Sequence, residues 1–275
     1  MDFAVDRKMV HAGTGGVEFD AAKPTIVFIH GASMDHTIWA LQGRYLAHHG
    51  YSVLAIDLPG HGSSNGPALE SIEQMADWIA SAIKATTTNP VTIVGHSMGA
   101  IVALETAAQN PEKIAAMALA GAAVPMNVHH NLLTQTRDEP SAAIDSILTW
   151  AYSRRAQIGG TRVPGLWMLG GGRRLIERNA GEQLHIDFKA CSTYLKGRES
   201  ASKVSCPTLI IVGNDDRMTP PKAANNLQQA IPHSQTVFIQ GSGHMMMIEY
   251  PDQTLDVLRD FLQTTIPLGQ DYEGE

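Results

Sequence analysis

Ser97 lies in Gly95-His96-Ser97-Met98-Gly99, between a β-branched apolar run, Val91-Thr92-Ile93-Val94, and an Ala-rich helical pattern that begins at Ala100. A serine on a strand-to-helix turn is forced into tight backbone, which lifts its hydroxyl clear of the sheet edge. The flanking glycines are required because a Cβ at either position would meet the neighbouring strand or helix. A hydroxyl becomes a useful nucleophile only when a base takes its proton, and the base needs a carboxylate to hold it in the right tautomer. Both partners appear later in the chain, each just after an apolar run. Leu209-Ile210-Ile211-Val212 leads into Gly213-Asn214-Asp215-Asp216, and Gln235–Ile239 leads into Gly241-Ser242-Gly243-His244. The chemistry suggested is acyl transfer through Ser97, with His244 as base and Asp215 or Asp216 as the acid.

Such residues can meet only if the elements carrying them end in one crevice, which is what the carboxyl ends of parallel strands provide. Thr25–Ile29, Ser52–Ile56 and Ile114–Ala120 are further continuous apolar runs, the mark of strands buried on both faces. Helical patterns near Ile38–His48, Leu69–Ala85, Lys222–Ala230 and Gln253–Gln263 alternate with them. In Leu69–Ala85, Ile72, Met75, Ala76, Ile79 and Ile83 keep a 3.6-residue period. Strand–helix alternation with short connections predicts right-handed crossovers and a mostly parallel sheet with helices on both faces. Phe3–Val17 predicts one or two antiparallel edge strands closed at Gly13-Thr14-Gly15-Gly16. The alternation fails over residues 125–204, where helices near Ala142–Tyr152, Leu166–Glu177 and Gln183–Leu195 predict a helical insertion. The acidic tail Gly269–Glu275 is expected to be disordered.

The 275 residues suffice for one large α/β domain with a sizeable core. A net charge of −7, with no basic run longer than a dipeptide, argues against nucleic acid as a partner. Cys191 and Cys206 have neither the number nor the spacing of a disulfide framework or zinc site, and suit a reducing compartment. No apolar stretch is long enough to span a bilayer, and Met1–Lys8 lacks a signal-peptide pattern. The expectation is a soluble cytoplasmic protein, monomeric or a small homo-oligomer, acting on a small apolar molecule without a membrane partner.

Five motifs together carry a resemblance: Gly95-His96-Ser97-Met98-Gly99, the His30-Gly31 turn, Asp57-Leu58-Pro59-Gly60-His61-Gly62-Ser63-Ser64, Gly213-x-x-Asp216-x-x-x-Pro220 and Gly241-x-Gly-His244. In this order the chain resembles the α/β-hydrolase superfamily, in the branch of esterases, C–C bond hydrolases, lactonases and cofactor-free haloperoxidases. The resemblance implies an eight-stranded sheet formed by residues 1–124 and 205–275, with 125–204 as a helical cap. It implies Asp216 rather than Asp215 as the acid, and no cofactor or metal. It also implies an oxyanion hole made by the backbone N–H groups of Met98 and Ala32, with Ser33 as the alternative to Ala32. Carboxylic ester hydrolysis is the expected activity. The C–C hydrolase reading is weakened because His96 and Met245 stand where such enzymes carry Asn and Trp. A lactonase or perhydrolase would use the same triad. An aspartate in place of Ser97 would be needed for a haloalkane dehalogenase or epoxide hydrolase. A receptor that kept the triad is the reading from a different class.

The remaining chemistry-bearing residues have plainer expectations. His61 lies in a loop that braces the sheet in the resembling family, and His96 reads as packing beside Ser97. His36, His48, His49, His129 and His130 show no metal-ligand spacing and read as surface residues. Met34, Met98, Met126, Met168, Met218 and Met245-Met246-Met247 are core filler or the wall of an adaptable apolar pocket, joined there by Trp150, Tyr152 or Trp167. Arg154, Arg155, Arg173 and Arg174 are candidates for a substrate carboxylate, or solvated arginines of the insertion.

Overall fold

The apolar runs become the middle of one eight-stranded sheet in the computed structural model, which describes residues 1–160 and 165–268. In chain order the elements are β1 (Asp2–Val5), β2 (Lys8–Gly13), β3 (Thr25–Ile29), α1 (Ala40–His48), β4 (Ser52–Ile56), α2 (Ile72–Thr86), β5 (Val91–His96), α3 (Met98–Gln109) and β6 (Ile114–Ala120). Six helices follow: α4 (His130–Asp138), α5 (Pro140–Ala151), α6 (Arg154–Gln157), α7 (Met168–Arg178), α8 (Gln183–Thr193) and α9 (Gly197–Lys203). The chain then returns to the sheet with β7 (Thr208–Gly213), α10 (Pro221–Ala230), β8 (Gln235–Ile239), α11 (Met246–Glu249) and α12 (Pro251–Thr265). The strand order is β1-β2-β4-β3-β5-β6-β7-β8. The pairs β1/β2 and β2/β4 are antiparallel, and every later pair is parallel.

Burial explains the uniform apolarity of the central strands. Every residue of β3, β4, β5 and β7 is buried, because helices cover both faces. On one face Val27, Ile29, Leu54 and Ile93 pack with Ile79 of α2 and Ile101 and Leu104 of α3. On the other, Phe28, Val53 and Leu209 meet Trp39, Leu258 and Phe261. A fully buried Ile, Leu or Phe contributes about 1.5–3 kcal/mol relative to exposure, so these two layers dominate the stability. Helix α2 starts three residues later than its apolar pattern predicts. Ser71 accepts the Gln74 N–H at 3.2 Å and fixes the first turn there.

Two antiparallel edge strands form, and β2 ends at Gly13, the first of the expected closing residues. Between the strands the chain turns at Asp6 and Arg7, with φ of 49° and 64°. Two positive-φ residues directly between paired strands make a type I′ hairpin, which usually takes Asn-Gly and here takes neither. Among the described residues the helical insertion carries six helices, where the sequence predicts three or four. The last of them, α9, packs on α3, where buried Glu105 accepts from Tyr194 Oη and Ser200 Oγ at 2.5 Å each. By its contacts α9 therefore serves the sheet's helical layer. Among the described residues no helix is long and apolar enough to cross a membrane. The tail Gly269–Glu275 lies outside the described residues.

Candidate active site

Ser97 occupies the first position after β5, at φ 54° and ψ −116°, a backbone region that side chains other than glycine rarely adopt. Its neighbours hold it there. Ser97 N–H donates to Ala120 O at 2.9 Å, and Ser97 O accepts from Ala100 and Ile101 N–H at 2.9 and 3.3 Å. The flanking glycines make the turn possible. A Cβ on Gly95 would lie 2.1 Å from Gly99 O, and one on Gly99 would lie 2.4 Å from His30 O.

His244 reaches the same corner from the loop after β8. Its backbone N–H donates to Ala151 O at 2.6 Å, and its carbonyl accepts His96 Nε2–H at 3.0 Å. The His96 and His244 rings pack with centroids 4.7 Å apart. On the other side Gly121, at φ 60°, leaves room for the His244 ring: a Cβ there would meet its Cε1 at 2.9 Å. Asp216 completes the group, with its Oδ2 2.7 Å from His244 Nδ1. The carboxylate also accepts Met218 and Thr219 N–H on Oδ1 at 2.8 Å each, and Thr219 Oγ1–H on Oδ2 at 2.7 Å. Asp216 is 3% exposed. Burial alone would raise its pKa, but His244 and the Thr219 bonds outweigh it and hold the carboxyl below its ordinary value. Ionised Asp216 can only accept, so Nδ1 of His244 carries a hydrogen, and in the neutral ring Nε2 is the acceptor. Asp215 is exposed and stands outside this network.

The two proposed oxyanion donors and their alternative separate cleanly. Met98 begins α3, so its N–H is one of the helix's first, unpaired donors. The Ser33 N–H is already given to Asp187 Oδ2 at 2.7 Å. Ala32 lies beside Ser97 in the wall of a cavity of about 160 Å³, whereas Ser33 does not line it. The rest of that wall is mainly apolar, with Met126, Leu132, Trp150, Phe188 and Met218, while Arg217 and His129 supply polar groups. Cys191 also lines it, and burial pushes its thiol pKa well above the ordinary range, which disfavours the thiolate.

Several expectations change. Tyr152 and Trp167 line a different cleft, so of the three aromatic candidates only Trp150 shares the cavity beside Ser97. Of the methionines, Met126 and Met218 line the Ser97 cavity, while Met246 and Met247 are fully buried core. None of Arg154, Arg155, Arg173 and Arg174 lines that cavity, and Arg173 instead pairs with Asp145. Arg217 is the arginine that does, and adjacency to the acid loop was the available signal. His36 is half-buried rather than a free surface residue. Its backbone N–H and Nδ1 bond Asp57 Oδ1 at 2.7 and 2.9 Å, which holds its pKa above the ordinary value despite burial. His11, His36 and Asp57 form the one metal-like cluster among the described residues, and these internal bonds account for it. His96 is fully buried, and burial with the nearby His244 pushes its pKa down to about 3, so it stays neutral.

An open α/β sheet with a serine at this elbow and a buried His–Asp pair beside it is the frame of a hydrolase. A family model described as the alpha/beta hydrolase family matches residues 26–257, and the chain belongs to that family. It is 28% identical over 260 residues to a Klebsiella pneumoniae protein provisionally named carbamate hydrolase RutD, covering 90% of this chain and 94% of that one. It is also 28% identical over 261 residues to the pimeloyl-[acyl-carrier protein] methyl ester esterase of Nitrosomonas europaea, covering 86% and 95%. Among solved structures, a thermophilic esterase superposes with a TM-score of 0.81 at 28% identity, covering 97% of this chain and 98% of that one.

Proposed function

We propose that the protein is a serine carboxylesterase for short, apolar esters, with Ser97, His244 and Asp216 as its catalytic triad and residues 125–204 as a cap. The observation that carries this reading is the 2.7 Å bond between His244 Nδ1 and buried Asp216, beside a serine at a strained elbow. With Nδ1 protonated, His244 Nε2 takes the Ser97 proton as Oγ attacks the ester carbonyl. The carbonyl π electrons move onto oxygen, and the Met98 and Ala32 N–H groups receive the developing charge. Each such donor is worth about 3 kcal/mol of transition-state stabilisation. Collapse of the adduct breaks the C–O bond to the alcohol, which takes its proton from His244. A water molecule, deprotonated by the same imidazole, then attacks the acyl-enzyme and releases the carboxylic acid.

The cavity volume limits the substrate. About 160 Å³ is close to the roughly 150 Å³ that accommodates benzene in an apolar site. One arm of the ester, of about six heavy atoms, fills it. A carbamate, which the name of the Klebsiella relative specifies, presents the same carbonyl to the same groups and belongs in the substrate panel.

The test is covalent. A fluorophosphonate should label Ser97 stoichiometrically in the folded protein, and Ser97→Ala should abolish both labelling and turnover of p-nitrophenyl acetate and butyrate. Folded protein that resists labelling, or an Ser97→Ala variant that still hydrolyses these esters, overturns the assignment.

A further inference from the structure

The turn that carries Ala32 is held from outside the sheet. Met34 N–H donates to Gly31 O at 3.2 Å, closing a four-residue turn with Ala32 and Ser33 at its centre. Ser33 is at φ 52°, in the third position of the turn, where glycine or asparagine normally stands. Serine has no intrinsic preference for that backbone, so something must hold it. The holder is Asp187, 154 residues later on α8, whose Oδ2 accepts Ser33 N–H at 2.7 Å. Asp187 and Ser33 are both fully buried.

The same oxygen accepts His61 Nε2–H at 2.9 Å, while His61 Nδ1 faces Pro59 O at 3.1 Å. Both partners accept only, so both ring nitrogens carry hydrogen and His61 is an imidazolium. Burial opposes that charge, but the Asp187 carboxylate outweighs it and raises the His61 pKa. His30, whose ring lies 5.0 Å away, is the opposite case. Its Nε2 accepts Leu58 N–H at 3.1 Å, so Nδ1 donates to Gly31 O at 2.8 Å. Burial and the His61 charge push its pKa down to about 4. The turn is thus gripped at Gly31 O by neutral His30 and at Ser33 N by charged Asp187.

We propose that Asp187, with His61 as its counter-ion, is a positioning residue of the ester-cleaving site: it pins the Ala32–Ser33 peptide and so fixes Ala32, whose N–H, on the adjoining Gly31–Ala32 peptide, is the oxyanion donor. This rests on the triad and oxyanion reading given above. Without the clamp, the Ala32–Ser33 peptide is free to flip, which takes Ser33 out of its strained region and lets the Ala32 donor drift. Ground-state binding in the apolar cavity does not use that donor, so the loss falls on the transition state. Asp187→Asn is the mild variant. With its amide oxygen in the place of Oδ2, it still accepts Ser33 N–H and His61 Nε2–H, while its NH2 takes the place of Oδ1, which bonds nothing, and the charge that pairs with His61 is lost. Asp187→Ala removes the acceptor altogether.

The experiment compares both variants with wild type and Ser97→Ala, using p-nitrophenyl butyrate turnover, affinity for a trifluoromethyl ketone that forms a tetrahedral adduct on serine, and affinity for toluene, an apolar ligand with no oxygen. Loss of one oxyanion donor costs about 10²–10³-fold in kcat, and a misaimed donor a part of that. Asp187→Ala should therefore lose about 10–100-fold in kcat and in ketone affinity, with KM and toluene affinity within about 2-fold. Asp187→Asn should lose less than about 10-fold. Unchanged kcat in a folded Asp187→Ala, or parallel losses in ketone and toluene affinity, overturns the clamp. If Asp187→Ala does not fold, Asp187→Asn decides: its ketone affinity should fall several-fold at constant toluene affinity, and no fall overturns the proposal. Persistent turnover in Ser97→Ala overturns the underlying reading instead, so the two failures are distinct.

Discussion

Asp216→Asn changes one group of the site and inverts the hydrogen-bonding polarity that His244 meets. Oδ1 of Asp216 accepts two backbone N–H groups, from Met218 and Thr219, so the amide oxygen of the variant must stay on that side. The NH2 then takes the place of Oδ2, 2.7 Å from His244 Nδ1. A donor there requires Nδ1 to accept, which moves the imidazole proton to Nε2, the nitrogen that takes the Ser97 proton in the proposed mechanism. Such a tautomer cannot take the serine proton. The expected loss is about 10⁴-fold in kcat, or about 5.4 kcal/mol at about 1.36 kcal/mol per decade. Ground-state binding should change little, since Asp216 does not line the cavity beside Ser97. The assay is steady-state hydrolysis of p-nitrophenyl butyrate from pH 5 to 9, with thermal unfolding to verify the fold. Exposed Asp215→Asn is the control and should stay within about 2-fold, as surface substitutions usually do. An Asp216→Asn variant keeping more than a tenth of wild-type kcat, or a larger loss in Asp215→Asn, refutes the assignment.

Gly121→Ala places a methyl group 2.9 Å from His244 Cε1 at φ 60°, so kcat should fall more than about 10-fold while stability drops only about 1–2 kcal/mol, read by kinetics and denaturant melts. Leu132, 3% exposed in the cavity wall, becomes Ala at a cost of about 2–4 kcal/mol, and the acyl preference across a graded p-nitrophenyl ester panel should move to longer chains. His61, facing Asp187, Asp57 and His30, has a raised pKa, so its contribution to stability is complete below its unfolded value of about 6.5 and is lost as pH rises through the folded one. Stability should fall by up to about 1.4 kcal/mol per pH unit in that window, and the fall should vanish in Asp187→Asn. Ser33 and Ser153 donate their amides to buried Asp187 and Glu249, and hydrogen exchange should find both as protected as β5.

The sheet, and the residues of the proposed triad, were legible because their signals are local. Strands buried on two faces must be apolar throughout, and Gly95, Gly99 and Gly121 are glycines for steric reasons that act within a few ångströms. Asp216 could be told from Asp215 only by a family spacing, since in sequence the two are adjacent carboxylates; burial and the His244 bond separate them in space. Asp187 left no trace in the sequence. It is one acidic residue in a helix of weak amphipathicity, and its partners lie 126 and 154 residues away. Glu249, which binds Ser153 N–H at 2.9 Å, is hidden for the same reason. The β1–β2 turn was not visible in the sequence because Asp6-Arg7 lacks the glycine that turn chemistry usually supplies.

Four non-glycine residues in the described chain have positive φ, and beyond the hairpin pair the two that remain are Ser33 and Ser97. Each adjoins a proposed oxyanion donor, Ala32 or Met98, and each stores about 1–3 kcal/mol of backbone strain. They are held in different ways. The Ser97 backbone is fixed by Ala120, Ala100 and Ile101, all within the β5–α3–β6 unit that any member of the fold must form. The Ser33 backbone is fixed by a carboxylate on α8, a helix of the insertion. The same helix contributes Phe188 and Cys191 to the cavity wall, one and four residues after Asp187. A substitution that reshapes α8 to admit a different substrate therefore also moves the grip on the oxyanion turn. On the proposed reading substrate choice and catalytic power share one helix, so selecting for one should perturb the other.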